Sequence, residues 1–473
     1  MSLVIDAVMS AARKTPLRAS VSHAGGALTC EDLAREVESL ADVLAREAGP
    51  VGIALDNGPA WVVSDLAVLA AGKVCVPLPP FFTAAQRGAA LADAGASRMI
   101  APGQDHLIGG QGVSLMQTGL SARVLHGGTS KITYTSGSTG TPKGVCLSQG
   151  HIEDLAASLV AVLGVEHAGV HLPVLPLGVL LENVAGLYPI LLAEGRYHAA
   201  SLAEVGMGEA FRPDPLRLLT AIRETAATSL ILAPELLRGL IVAKRMSGLQ
   251  TPSLKLVAVG GARVSPTLLA DAEAAGLPVV EGYGLSECAS VVAMNRPGRA
   301  VPGTVGEALP HVRLSIAPDG EVLISSPAFL GYVGAPPRQG PLRTGDIGQL
   351  DAAGRLRIDG RKDNLIITGF GRNVSPEWVE SELTSEPQIL QAMVFGEGQS
   401  SLGALIAAMP GAAPDQVEAA VARANVRLPD YAKITRWRQT PPFDPAAGQL
   451  TANGRPRRSA LVQAYADFVL EAA

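Results

Sequence analysis

The chain has 473 residues, a formal net charge of −5, 48% hydrophobic residues and 4% aromatic ones. That length allows two or more domains and a large core, and the balance supplies neither the basic surface nor the aromatic platforms that nucleic-acid binding needs. Cys30, Cys75, Cys146 and Cys288 are scattered without a CxxC pair, and His151, His171 and His198 show no metal spacing, so free thiols in a reducing cytoplasm are expected rather than disulfides or structural zinc.

The first residues, MSLVIDAVMSAARKTP, lack a charged-then-apolar leader pattern because Asp6 interrupts the run. Residues 51–55 read as a strand, 61–71 as an apolar helix with Gly72 beyond its end, and 74–78 as the next strand. The most informative stretch runs from Lys131 to Ser148, KITYTSGSTGTPKGVCLS. A strand-like start leads into Thr135, Ser136, Gly137, Ser138, Thr139, Gly140, Thr141 and Pro142, closed by Lys143 and Gly144. Glycines let backbone N–H groups approach and nest an anion, hydroxyls add donors, and one lysine adds a point charge suited to phosphate. A Walker A loop would need Gly-Lys-Ser/Thr in succession, and here Lys143 stands between Pro142 and Gly144.

Further along, the apolar region 173–193 is broken by Glu182, Asn183 and prolines, which excludes a transmembrane helix. Residues 254–259 read as a strand ending in Gly260-Gly261-Ala262. Ser265 then caps a helix with Pro266 at its first position and Gly276 at its end, and 277–280 returns as a strand. This alternation predicts a mainly parallel sheet covered by helices, with ligands at the carboxyl ends of the strands. Gly260-Gly261 and Gly282-Tyr283-Gly284 sit at two such ends. From 303 to about 358 the pattern changes to short strands with turns at Pro318-Asp319-Gly320 and Ala353-Gly354, a small β-rich subdomain. Beyond Gly360 a new unit begins, with helices near 376–383 and 414–424 and strands near 389–395 and 402–408. The expected organisation is α/β: a large N-terminal domain, 1–360, followed by a small mobile α+β domain, 361–473.

The chain carries further ordered boxes: Tyr283-Gly284-Leu285-Ser286-Glu287, Arg343-Thr344-Gly345-Asp346, Gly360-Arg361-Lys362-Asp363 and Gly369-Phe370-Gly371-Arg372-Asn373-Val374-Ser375-Pro376. Together with the loop at 135–144 they resemble the adenylate-forming superfamily of acyl-CoA synthetases, adenylation domains and luciferases, and are closest to its long-chain fatty acyl-CoA synthetases. The resemblance implies an ATP-dependent carboxylic acid–thiol ligase. It implies that Thr135 to Gly140 and Lys143 grip the phosphates, and that Gly260, Gly261, Ala262 and Gly282 lie by the adenine and the acyl group. Tyr283 would lie on adenine, with Gly284 beside it, and Ser286, in a threonine position, would touch the α-phosphate. Glu287, with Thr135, would hold Mg²⁺, Asp346 would take the ribose hydroxyls, and Arg361 would reach the ribose and phosphates. Asp363 would be the pivot of the C-terminal domain, and the loop after it would line the thiol tunnel.

Two departures from the family pattern matter. Where the family has a near-terminal Gly-Lys, this chain has Gly454-Arg455, so Arg455 is expected to bridge the attacking carboxylate and the α-phosphate, with a planar fork in place of a compact ammonium. In the acyl-pocket segment Leu177-Gly178-Val179-Leu180-Leu181-Glu182, the family's histidine is Val179 and its glutamate survives as Glu182. No acid lies near Leu177 to hold a substrate amine, whose uncompensated burial would be costly. Leu177, Gly178, Val179, Leu180, Ala262 and Cys288 predict a roomy apolar pocket for an aliphatic medium- or long-chain acid. The chain ends at Ala473 without a carrier domain, so the acceptor is expected to be coenzyme A. The alternatives are the phosphopantetheine of a free acyl carrier protein and, in a different class, a non-catalytic nucleotide-binding relative. A serine hydrolase is disfavoured, because Gly137-Ser138-Thr139-Gly140 is not a GxSxG elbow and no Asp/His partners stand out.

Overall fold

The computed structural model describes residues 2–135, 143–208, 212–326, 328–451 and 454–470. Its centre is a nine-stranded sheet. Across it run Glu307–Ala308, Ala293–Met294, Val279–Tyr283, Leu256–Val259, Ser229–Leu232, Val170–His171, Arg196–His198, Ala19–His23 and Gly26–Thr29. The strands from Val279–Tyr283 to Ala19–His23 are mutually parallel, and both edges are antiparallel. Ser229–Leu232 and Leu256–Val259 are buried along their whole length, the signature of parallel strands covered on both faces.

A seven-stranded sheet lies beside it in the order Gly331–Tyr332, Lys143–Ser148, Thr129–Thr135, Cys75–Pro77, Val51–Ile53, Arg98–Ile108, Gln111–Gln117. The helix Pro59–Ala70 is apolar nearly all round and every residue from Pro59 to Val68 is buried, as a helix clamped between layers must be. With the helices Leu3–Lys14, Cys30–Ala45 and Gln149–Leu163 it builds the main core. A second core sits under Ser229–Leu232 and Leu256–Val259, closed by the helices Pro215–Glu224, Pro234–Ser247 and Pro266–Ala274. The last of these starts as its sequence dictates: Ser265 accepts from the Leu268 N–H, Pro266 follows, and Gly276 takes φ +67° beyond the end.

Residues 313–361 form a four-stranded antiparallel sheet, Arg313–Ile316, Glu321–Ser326, Leu342–Leu350 and Leu356–Arg361. Beyond it, the helices Pro376–Thr384 and Pro414–Val426 pack with the strands Ile389–Phe395, Leu402–Ala408 and Ile434–Thr440 around a separate core. Of the elements that the sequence reading does not name, two matter here. One is the hairpin Arg98–Gln117, which turns on Gly109 and Gly110, both at positive φ. The other is Ile434–Thr440, whose pairing with Leu402–Ala408 is parallel and non-local. Among the described residues, no helix is long and apolar enough to cross a membrane.

Candidate active site

The strands Leu256–Val259 and Val279–Tyr283 run parallel and end side by side, and their glycines follow at once. A Cβ on Gly260 would lie 3.0 Å from the Gly282 carbonyl oxygen, and Gly261 takes φ +83°. A Cβ on Gly284 would lie 1.5 Å from the Ser290 carbonyl oxygen, so only glycine fits there. Ala262 and Gly284 are exposed at this edge, and the single turn Ser286–Cys288 carries Ser286 and Glu287 past it. Ala289 (φ 59°) and Ser290 (φ 136°) are non-glycine residues at positive φ, a cost of the order of 1–3 kcal/mol each that the surrounding structure must hold in place.

Asp346 lies on Leu342–Leu350 directly opposite Arg361 on Leu356–Arg361. It accepts from the Tyr283 hydroxyl at 2.6 Å and pairs with Arg361 Nε at 3.0 Å. Arg361 also donates to the Thr344 carbonyl at 3.0 Å. Burial pushes the Asp346 carboxyl up, and the charge of Arg361, the Tyr283 hydroxyl and the charge of Arg455 pull it back down. Arg455 is presented from the far end of the chain by a tight turn. Gly454 takes φ +76°, the Thr451 N–H donates to the Arg455 carbonyl at 2.8 Å, and the Arg455 N–H donates to Thr451 Oγ1 at 3.1 Å. Just beyond it Arg458 donates to Glu380 Oε1 at 2.5 Å and to the Val394 carbonyl at 2.7 Å. Arg455 keeps contact with solvent and forms no ion pair among the described residues, although protein crowds it from several sides. Crowding and then the like charge of Arg361 hold its pKa down, while Glu235, Glu377 and Asp346 act oppositely. A guanidinium in contact with solvent, with no ion pair among the described residues, is able to receive an anion.

A second cluster forms around Tyr332. Its strand pairs with Lys143–Ser148, so that Tyr332 stands opposite Val145. The Tyr332 hydroxyl donates to Glu287 Oε1 at 2.9 Å, and Lys143 Nζ lies 5.4 Å from the centre of its ring. Glu287 Oε2 and the Thr135 hydroxyl have no protein partner among the described residues; both are hard oxygen donors of the kind Mg²⁺ takes. Ser136, Gly137, Ser138, Thr139, Gly140, Thr141 and Pro142 lie outside the described residues. Their flanks, Thr135 and Lys143, are cross-strand partners, so the loop joins antiparallel neighbours, unlike the strand-to-helix loop of Walker proteins.

The pocket segment is tied down more than its sequence suggests. Leu177 has no exposed surface: its N–H donates to Asn57 Oδ1 at 2.7 Å while Asn57 Nδ2 donates to the Leu175 carbonyl at 2.9 Å. Leu177, like Leu180 and Cys288, is thus packed into the main core. Gly178 packs against Pro79, Leu180 is buried, and Val179 is half-buried. In place of one regular helix, a short turn Leu180–Glu182 passes into a π-helical stretch Asn183–Leu187 and then Tyr188–Leu192. Glu182 points inward to His171 at 2.9 Å and Tyr197 at 3.2 Å. Cys288 is 1% exposed, and burial followed by the charge of Glu287 raises its thiol far above the usual range, so it acts as a small apolar residue. Beside this segment lies a cavity of about 60 Å³ lined largely by aliphatic groups, among them Leu159, Leu163, Leu181, Ile190, Ile231 and Met294.

Asp363 sits in the turn Lys362–Asn364. Lys362 reaches Asp319 at 2.9 Å and Glu321 at 3.2 Å, which Arg343 also holds. The reading of the sequence missed Tyr332, Asn57 and the buried Glu281–Arg263 neighbours, because each acts from an element distant in sequence and carries no local motif.

The family described as AMP-binding enzyme matches residues 8–125 and 127–332, and the AMP-binding enzyme C-terminal domain matches 363–472. The long-chain-fatty-acid–CoA ligase FadD15 of Mycobacterium bovis is 27% identical, over 86% of this chain and 85% of that protein. Among solved structures, the anthranilate CoA ligase AuaEII in complex with anthranoyl-AMP superposes with a TM-score of 0.79 at 21% identity, covering 98% of this chain and 96% of that one. The o-succinylbenzoate coenzyme A synthetase MenE from Bacillus subtilis, in complex with ATP and magnesium ion, gives 0.76 at 22%, covering 96% and 98%.

Proposed function

The chain belongs to the AMP-binding enzymes, and on that premise we propose that it is an AMP-forming ligase joining a carboxylic acid to coenzyme A, with an aliphatic medium- or long-chain acid as its substrate. The observation that carries the reading is the convergence of Tyr283, Asp346 and Arg361 with Arg455, brought from the end of the chain and without an ion pair among the described residues. Asp346 takes the ribose hydroxyls, for which an ionised acceptor is suited, and Tyr283 lies on the base. The acid's carboxylate attacks the α-phosphorus, forming the acyl–phosphate bond and releasing pyrophosphate. Arg455 and Ser286 meet the charge that grows on the α-phosphate, and Lys143 holds the leaving group. Magnesium fits Glu287 and Thr135 and would neutralise phosphate charge when bound there. In the second step the thiol adds to the acyl carbon and AMP departs. We place the pivot for that step at Asp363, with 1–360 and 361–473 as its two lobes and 303–358 as a subdomain of the first.

The aliphatic preference is supported by the apolar residues Val179, Leu180 and Ala262 at the expected wall and by the absence of an acid near Leu177. The deciding test is acid-dependent pyrophosphate release over straight-chain acids of graded length and aromatic acids, with coenzyme A and a holo carrier protein compared as acceptors. An aliphatic optimum with coenzyme A is expected, and a clear aromatic preference or carrier-only transfer overturns that part. Arg455→Ala is expected to lose about 100-fold or more in adenylation and Arg455→Lys to retain most of it. An alanine variant at full activity removes Arg455 from the mechanism.

A further inference from the structure

The main core holds a closed polar network that the proposed chemistry does not use. Asp65 on Pro59–Ala70 has no exposed surface, and Lys131, Asn183, Tyr188 and Cys75 are each 3% exposed or less. Lys131 Nζ donates to Asp65 Oδ1 at 2.7 Å, to the Tyr188 hydroxyl at 3.2 Å and to Asn183 Oδ1. Asp65 Oδ1 also accepts from the Cys75 thiol at 3.2 Å, and its Oδ2 accepts from Tyr188 at 2.6 Å and Asn183 Nδ2 at 3.0 Å. The ammonium thus uses all three of its donors and each carboxylate oxygen accepts twice, so no member can leave without orphaning another. Burial by itself would push the Asp65 carboxyl up, and the charge of Lys131 with the bonds from Lys131, Tyr188 and Asn183 outweighs it.

A buried ion pair is weak evidence of stability and better evidence of a fixed arrangement. Here the arrangement has two ends. Lys131 lies on Thr129–Thr135, the strand that runs into the phosphate loop. Asn183 and Tyr188 stand at the two ends of the π-helical stretch Asn183–Leu187, which follows Val179 and the turn Leu180–Glu182. A π-stretch is an energetically poor backbone that marks functional positions and needs outside support. Asn183, its first residue, is held by both members of the ion pair. On the other side, Asn57 and Glu182 hold Leu175 and Leu177. We infer that Asp65, Lys131, Asn183 and Tyr188 form a positioning network that holds the π-helical stretch against the phosphate-loop strand, and so sets which acids the adjoining pocket wall accepts.

This rests on reading Val179 and Leu180 as part of that wall. The test uses the full-length protein, with pyrophosphate release measured over acids of graded length for the parent, Asn183→Ala and Tyr188→Phe. Acid-dependent release by the parent establishes the proposed activity independently of the network. In Asn183→Ala the ratio of kcat/KM between long and short acids is expected to shift at least tenfold while KM for ATP changes less than about twofold. Tyr188→Phe, which keeps the ring and removes the two bonds of its hydroxyl, should shift the same ratio in the same direction by a smaller factor. A uniform loss for every acid, or no change in the ratio, overturns the inference. If Asn183→Ala does not fold, Tyr188→Phe alone decides it by the same ratio.

Discussion

Glu281 illustrates how much one buried group decides. It stands one residue before Gly282, 8% exposed, and burial lifts its carboxyl to about 7 against the partial relief of Arg263 and the Val264 N–H. Its folded pKa lies above the unfolded one, so the folded chain binds more protons between roughly pH 4.5 and 7. Stability therefore falls as pH rises through that window, by about 3 kcal/mol in full. Glu281→Gln is expected to melt higher than the parent at pH 8 and at the same temperature at pH 5; equal melting at both would refute the account. Tyr332 is the other telling residue, since its hydroxyl orients Glu287 and its ring faces Lys143. Tyr332→Phe should raise KM for magnesium ATP several-fold, leave KM for the acid unchanged and leave the melting temperature within a few degrees. Neither residue was legible as functional from its neighbours in sequence: Glu281 reads as part of a strand, and Tyr332 meets its partners only through sheet pairing.

At the scale of elements, the strand ends and caps were legible because their causes are local. Ser265, Pro266 and Gly276 bound a helix wherever they fall in that order, and the turns at Asp319-Gly320 and Ala353-Gly354 produced hairpins. The connection after Tyr283 was only half legible. The glycines announce a turn, but that Gly284 must clear the Ser290 carbonyl is a fact of the folded loop. Gly284→Ala forces backbone apart, and the expected result is loss of more than 100-fold in adenylation with a markedly lower melting temperature. Near-parent activity in that variant would mean that the Ala289–Ser290 connection yields easily. The π-stretch at Asn183–Leu187 was not legible, because its first residue is held by Asp65 and Lys131, neither of which is nearby in sequence.

For the whole molecule, the question is what holds the C-terminal unit where Arg455 reaches the Asp346 cluster. Among the described residues, direct ties include the Ser265 and Ser385 hydroxyls at 2.5 Å and Arg238 to the Ile389 carbonyl at 3.5 Å. Next to the proposed pivot, Lys362 is clamped by Asp319 and Glu321. The Lys362–Asp319 pair is exposed on both sides; such pairs contribute little to stability and weaken in salt, so it is suited to a contact that must break. Lys362→Ala is expected to leave acyl-adenylate formation within about threefold and to change the rate of thioester formation more, as read by single-turnover assays of each half-reaction. Equal effects on both would argue against a clamp that acts on one arrangement.

The sequence by itself determined the chemistry's inventory. Hydroxyls, glycines and a lysine in one loop, and carboxylates and arginines in ordered boxes, are local patterns whose residue types dictate what they can bind. It also determined the parallel α/β plan, because hydrophobic periodicity and caps are read within a few residues. Only the tertiary structure decided which of these groups meet. Arg455 lies within reach of the Asp346 charge, Tyr332 joins Lys143 to Glu287, and a buried ion pair holds Asn183 at the start of the π-helical stretch. Such meetings depend on sheet order and on packing between segments far apart in the chain, and no local rule encodes them.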